Sequence, residues 1–225
     1  MNHTVTIVMT EFVTHDVKRF IVSKPEGYSY KPGQGVELAV NQPGWTEQGR
    51  PFTPTSLPDD LILEFTIKAY PEHNGVTKQL HQLTAGDELL LSEPFGTITY
   101  QGPGTFIAGG AGVTPFIAIL RYIAGNNKLD NHIDKHGLIF SNKTPADVIC
   151  EKEFRHYMRE RCILTCTQES SPGYDNRRID LAFLKDNISD VNQHFYVCGP
   201  PAFVDHVNGA LKELGAHPDT LVFEQ

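Results

Sequence analysis

From Val5 to about Tyr100, apolar and polar residues alternate in short runs separated by turn residues, which is the period of half-buried antiparallel strands. Val5, Ile7 and Met9 predict one face of a first strand, and Val17 to Val22 a second. Pro32-Gly33-Gln34-Gly35 leads into a third at Val36 to Val40. Leu61, Leu63, Phe65 and Ile67 alternate with Ile62, Glu64 and Thr66, and Glu88 to Leu91 begins another strand. About six such strands in roughly a hundred residues suggest a closed barrel or a sandwich.

From Thr105 onward, strands and helices alternate instead. Thr105 to Ala108 and Gly137 to Phe140 are short apolar runs, while Val113, Phe116, Ile117, Leu120 and Ile123 recur at helical spacing. Thr144-Pro145-Ala146-Asp147 supplies an N-cap, a first-turn proline and an acidic third position for a helix carrying Cys150, Phe154, Tyr157 and Met158. Cys162 to Thr167 and Phe195 to Cys198 read as further parallel strands, and Pro201 to Leu214 as a helix that Gly215 can stop. This is a doubly wound α/β pattern. The change of rhythm falls near Gln101-Gly102-Pro103-Gly104 and predicts two domains, 1–101 and 102–225.

Composition narrows the class without naming a chemistry. The formal net charge of −8 argues against general affinity for nucleic acid or for an anionic membrane. No apolar run is long enough to span a bilayer, and the N-terminus lacks a basic region followed by a long apolar segment, so no membrane insertion is expected. Cys150, Cys162, Cys166 and Cys198 lack the paired close spacing of a zinc site or an iron–sulfur cluster, so no metal is expected, and a reducing cytoplasm is the simplest location.

The densest candidate chemistry is Gly109-Gly110-Ala111-Gly112-Val113-Thr114-Pro115, where a buried strand meets glycines and a proline that opens a helix. Such a turn brings backbone N–H groups and a helix N-terminus close to an anion, although a bare strand-to-helix turn has the same pattern. Arg50-Pro51-Phe52-Thr53 offers a phosphate clamp, a flat ring and a hydroxyl, which suits a flavin nucleotide. In an extended strand Thr53 faces away from Arg50 and Phe52 unless Pro51 and Pro54 kink the chain. The alternative is a core phenylalanine beside a surface arginine. Gly75-Val76-Thr77 opens either a pyrophosphate-binding turn or a capped surface helix. Cys198-Gly199-Pro200 ends a strand where open α/β sheets face their ligand, so Cys198 either meets a bound ring or packs as a small apolar residue.

In order and spacing, Arg50-Pro51-Phe52-Thr53, Gly75-Val76-Thr77, Pro94-Phe95-Gly96, Gly110-Ala111-Gly112-Val113-Thr114-Pro115 and Cys198-Gly199-Pro200 resemble the ferredoxin-NADP reductase family, in particular its short flavodoxin or ferredoxin reductase-like members. The resemblance runs through nearly the whole chain. It implies a six-stranded antiparallel β-barrel flavin domain followed by a parallel-sheet α/β nicotinamide-nucleotide domain. It places Arg50 on the flavin phosphate, Phe52 against the isoalloxazine and Thr53 near flavin N5. The family's Arg-x-Tyr-Ser becomes Arg-x-Phe-Thr here, which keeps the ring and a hydroxyl but loses the phenolic hydrogen bond. Gly75, Val76 and Thr77 then cap the pyrophosphate of FAD, with Lys68 and Tyr70 as either contacts to the same group or an exposed lysine and a packing ring.

Gly110, Gly112, Thr114 and Pro115 are implied to approach NADPH or NADH, with Cys198, Gly199 and Pro200 beside the nicotinamide. Lys143, Arg177 and Arg178 either bind a 2′-phosphate or are solvated surface charges, and no acidic residue in Ser141-Asn142-Lys143-Thr144 marks plain NADH. Thr53, Cys198 and Glu224 are the expected catalytic positions, Glu224 having a surface terminus as its alternative. The implied activity is hydride transfer from NAD(P)H to FAD, then single-electron transfer to ferredoxin, flavodoxin or a separate iron–sulfur subunit. An acidic carrier would need Lys18, Arg19, Lys24, Lys31 and Lys78 to gather at the flavin edge. A non-catalytic flavin- or nucleotide-binding module that senses redox state or docks to a larger complex is the competing class.

Overall fold

A computed structural model describes residues 1–96, 98–126 and 133–223. The N-terminal strands are β1 (His3–Phe12), β2 (Val17–Ser23), β3 (Val36–Val40), β4 (Arg50–Phe52), β5 (Ile62–Lys68) and β6 (Glu88–Leu91), with the short helix α1 (Val76–Leu80) between the last two. They form one antiparallel sheet in the order β4-β3-β6-β1-β2-β5. The chain just past β4 returns to the other edge: Pro54 bridges Phe65, and the Thr55 N–H donates to the Glu64 carbonyl at 2.7 Å. That contact nearly closes the sheet into a barrel, whose interior holds Phe20, Leu38, Leu63, Phe65 and Leu91.

Two details depart from simple alternation. Ile7 pairs with Val22 but Met9 pairs with Ile21, so β1 carries one extra residue. A bulge shifts the side-chain phase, and Met9 is 41% exposed while Val5 and Ile7 are buried. Leu61 precedes β5 and is 93% exposed, whereas Glu64 and Thr66 are buried along with their neighbours Leu63 and Phe65. Both faces of β5 are covered, one by the barrel core and the other by the second domain.

That second domain contains β7 (Gly104–Gly109), α2 (Thr114–Gly125), β8 (Gly137–Asn142), α3 (Glu151–Met158), β9 (Cys162–Cys166), α4 (Leu181–Asn187), β10 (His194–Cys198), α5 (Pro201–Leu214) and β11 (Leu221–Phe223). The sheet is parallel, in the order β11-β10-β7-β8-β9. Alternate strand residues feed two cores. Phe106 and Phe140 pack with Phe116 and Phe154 from α2 and α3, while Ile107 and Ile139 pack with Phe183 and Leu211 from α4 and α5. Strand order reverses at β7, between β8 and β10, and the carboxyl ends there open a crevice.

The capping box at Thr144 forms, but it caps a single 3₁₀ turn, Pro145–Asp147, instead of the expected helix. Burial of Val148 and Ile149 pulls the chain into an extended path, and α3 begins only after Cys150, which is left-handed at φ 54°. The sequence pattern passed over α4, capped by the Asp180 carboxylate accepting from the Phe183 N–H, and the short β11.

The two domains meet through a charged clamp. Arg121 Nη1 on α2 donates to Glu64 Oε1 on β5 and to the Thr55 carbonyl, each at 2.7 Å. Its Nε and Nη2 form a fork onto Glu153 of α3 at 2.7 and 2.9 Å. Burial acts to raise the Glu153 carboxyl, but the Arg121 bonds outweigh it and hold the group below its ordinary 4.5. A depressed carboxyl adds stability that is fully present above its unfolded value and lost as pH falls through the folded one. The difference in thermal midpoint between wild type and Glu153→Gln is therefore expected to be full above 4.5 and to close on further acidification, as read by melting at a series of pH values.

Candidate functional site

The cleft between the domains is walled from both sides. Gly35, the β4 end Pro51-Phe52-Thr53, the β5 end Thr66-Ile67-Lys68, Tyr70 and Thr77 supply the barrel wall. Ala111, Gly112, Thr114, Pro115 and Cys198 supply the other, around a cavity of about 230 Å³. Pro51, Phe52 and Thr53 reach the same space because the chain leaves β4 at Phe52 and turns toward the Pro54 bridge, as the paired prolines predict. Phe52 also packs against the barrel core, so the same ring lines the cleft and supports the core. Lys68 Nζ is held 2.7 Å from Asp16 Oδ2.

A second cavity of about 710 Å³ continues past Lys68, Tyr70, Ala111 and Gly112, which line both. Its far wall includes Ser141, Asn142, Lys143, Asp147, Thr167 and Phe203, with Gly199, Pro200 and Pro201 at its edge. Asn142 is 6% exposed, and neither polar atom of its amide has a hydrogen-bond partner among the described residues. A buried amide without partners in a cavity wall is fitted to a polar ligand. Asp147 Oδ2 accepts from the Thr144 N–H and hydroxyl, and Oδ1 lies 3.8 Å from His15 Nε2.

The glycines explain how the two strand ends come together. A Cβ on Gly112 would sit 2.5 Å from the Cys198 carbonyl carbon and oxygen and from Gly199 Cα. One on Gly199 would sit 2.7 Å from the Phe203 ring. Gly110 adopts φ 54° at the start of the 3₁₀ turn Gly110–Val113, which runs into α2, and Pro115 takes the early helical position predicted for it.

Not every predicted site residue reaches the cleft. Arg50 is exposed on the edge strand, bonds the Gly49 carbonyl and lies outside both cavity walls. Of Gly75-Val76-Thr77, only Thr77 lines the cleft; Val76 is buried in the barrel core. Arg177 is paired with Asp175 and Asp186, and neither it nor Arg178 lines a wall. Lys18, Lys24 and Lys78 bond the His81 carbonyl, the Pro58 and Asp60 carbonyls, and Asn74. Arg19 pairs with Glu11 and Glu64, and neither these cations nor Lys31 line the cleft. Glu224 lies outside the described residues.

Residues 4–100 match the oxidoreductase FAD-binding domain family, and residues 106–209 match the oxidoreductase NAD-binding domain family. NADH-cytochrome b5 reductase 2 of Candida glabrata is 30% identical over 243 residues, covering 92% of this chain and 78% of that protein. The chain belongs to the ferredoxin reductase-like family. Another relative of this reductase-like chain is the reductase component of propane 2-monooxygenase from Rhodococcus jostii, 29% identical over 238 residues and 97% of this chain. The chain spans only 62% of that relative's length. The solved ferredoxin NADP⁺ reductase of Neisseria gonorrhoeae, with bound FAD and NADP, superposes with a TM-score of 0.84 at 21% identity, covering 99% of this chain and 97% of that one. That likeness establishes the shared two-domain fold. No described helix is long and apolar enough to cross a membrane.

Sequence reasoning missed Gly35, Thr66, Asp147, Phe203 and the clamp around Arg121. Thr66 had a signal, since it lies two residues before Lys68 and so shares its face of β5. Asp147 read only as a cap. Gly112→Ala is expected to force backbone against backbone, lowering folding stability by about 1–3 kcal/mol. Thermal melting checks the loss, and the visible spectrum of bound FAD checks that the barrel survives.

Proposed function

We propose that this chain is a flavin-dependent NAD(P)H oxidoreductase. Residues 1–101 hold FAD, residues 102–225 hold the nicotinamide nucleotide, and electrons leave singly to a separate carrier such as ferredoxin, flavodoxin or an iron–sulfur subunit. One observation carries the reading: a single continuous cleft takes Phe52, Thr53 and Lys68 from the FAD-domain half and Gly112, Thr114 and Cys198 from the NAD-domain half. The cysteines form no disulfide, which suits a cytoplasmic setting.

The donor set fits the two cofactors. Phe52 offers a face for a flat ring, Thr53 and Thr77 offer hydroxyls, and Lys68 offers a cation, all in the barrel wall. Arg50, exposed at the barrel edge, takes the flavin phosphate, and Gly75 to Thr77 take the pyrophosphate. Across the cleft the Gly110–Val113 turn gives the nucleotide a close backbone approach, and the unpartnered Asn142 amide gives it hydrogen bonds. The chemistry FAD supplies when bound is acceptance of a hydride and release of electrons one at a time. The protein's own part is orientation: Thr53 would hydrogen-bond at the flavin edge, and Cys198 and Gly199 would pack beside the nicotinamide, holding the two cofactors between the domains.

The carboxylate of Asp147 in the wall of the larger cavity supports NADH over NADPH. A carboxylate accepts from a ribose 2′-hydroxyl and repels a 2′-phosphate. Lys143 in the same wall partly offsets that repulsion.

Anaerobic mixing of the yellow holoprotein with NADH and, separately, NADPH tests the reading. Bleaching of the visible flavin absorbance is expected, faster with NADH; a flavin that neither nucleotide reduces would leave the redox-sensing or docking module as the better account. Asp147→Ala is expected to narrow the NADH:NADPH ratio of kcat/KM by about tenfold, measured by steady-state assay with ferricyanide as acceptor.

A further inference from the structure

The clamp at Arg121 touches neither cavity, yet both of its anchor points lie one short step from the cleft. On α2, Thr114 lines the cleft and Arg121 follows about two helical turns later, on nearly the same face. On β5, Thr66 lines the cleft, and Glu64, two residues earlier, projects from the same face of the strand. Arg121 joins these points with 2.7 Å bonds to Glu64 Oε1 and to the Thr55 carbonyl. Thr55 returns the connection to the cleft, since its hydroxyl donates to Glu64 Oε1 and lies 3.2 Å from the Thr66 hydroxyl.

The clamp is rigid for identifiable reasons. The Arg121 guanidinium uses three of its nitrogens, one face on the barrel and the opposite fork on Glu153. Glu153 is itself fixed by the Tyr157 hydroxyl, which donates to Oε1 at 3.2 Å. On the far side Arg19 lies 3.7 Å from Glu64 Oε2 and pairs with Glu11. Alternating charges thus run from the β1–β2 hairpin through β5 into α2 and α3. Apolar contact supports the same join, because Val17 and Ile98 of the barrel half pack within the α/β core.

We propose that Arg121 is a positioning residue for hydride transfer: by bonding Glu64 and Thr55 it sets the width of the cleft between the Phe52–Thr53 wall and the Gly112–Thr114 wall. The proposal rests on the reductase reading of that cleft. In the transfer the nicotinamide C4–H bond breaks and its hydrogen leaves with both electrons for flavin N5, and Arg121 takes no proton in it. Its effect is on distance and alignment, to which such steps are steep: a misplacement of about 1 Å costs on the order of a hundredfold. Nucleotide binding depends on the separate wall around Gly110, Asn142 and Lys143, which the clamp does not touch.

Stopped-flow reduction of the FAD-loaded protein by NADH and by its 4-deuterated form tests this. In Arg121→Met, the limiting rate of flavin reduction at saturating NADH is expected to fall about 10- to 100-fold. The Kd for NADH should stay within about threefold, the primary deuterium isotope effect should rise, and reoxidation by ferricyanide should be unchanged. A role confined to stability would shift the melting temperature and FAD content without moving the isotope effect. Glu64→Gln, which keeps a hydrogen bond but removes the charge, should slow reduction about 3- to 10-fold and gives the same readout if Arg121→Met does not fold. Glu153→Gln keeps the cross-domain bonds and should reduce within about threefold of wild type. Wild-type rates in both Arg121→Met and Glu64→Gln, a loss confined to NADH affinity, or equal slowing by Glu153→Gln would overturn the clamp proposal alone. A wild type that NADH leaves oxidised would instead overturn the reductase reading beneath it.

Discussion

A carboxylate facing outward from a barrel strand is ordinary; Glu64 is different because another domain covers it. At 8% exposure it has lost most of its water, and a carboxylate in that position needs a cation and hydrogen-bond donors in return. The Thr55 hydroxyl supplies a donor from the barrel, and Arg121 supplies the cation from the α/β half. Separating the halves would break both bonds from Arg121 to the barrel and return Glu64 to water, with Arg121 still tied to Glu153. The clamp therefore ties the barrel wall of the cleft to the α2 wall.

Within this frame the cleft is built almost entirely from the ends of secondary structure. β7 and β10 run parallel as neighbours, so their carboxyl ends deliver Gly109 and Cys198 side by side. The turns that follow can touch only because Gly112 and Gly199 have no Cβ. Phe203 fills the space beside Gly109 and Gly199 and becomes part of the wall of the larger cavity. On the barrel side, the chain that closes the barrel at Pro54 is the same chain that turns Phe52 and Thr53 toward the cleft. Barrel closure and site formation are one event.

Much of this was legible in local pattern. Period-two alternation marked β2, β3 and β5, and the glycines before Pro115 marked the strand-to-helix turn at its observed position. Errors arose where long-range contact changed the meaning of a residue. Met9 alternates correctly on paper, but a bulge visible only in the pairing with β2 turns it outward. Thr144 to Asp147 read as the cap of a long helix until burial of Val148 and Ile149 broke that helix in two. Asp147 was then left in the wall of the larger cavity, a position that no helix-cap signal contains. Arg50 and Val76 occupy an exposed edge and a buried core position, places that local pattern does not mark, and neither lines the cleft.

The sequence by itself determined the two rhythms, the glycine positions and the order of the cofactor-type motifs, because strand alternation, helix spacing and tight turns are properties of a few neighbouring residues. Only the tertiary structure decided that Glu64 is buried and that Arg121 meets it from another domain. It also decided that Asp147 and Asn142 share a wall with Gly110. Those juxtapositions join residues that lie far apart along the chain. They are set by how two separately formed cores dock, and a single sequence carries no local mark of that.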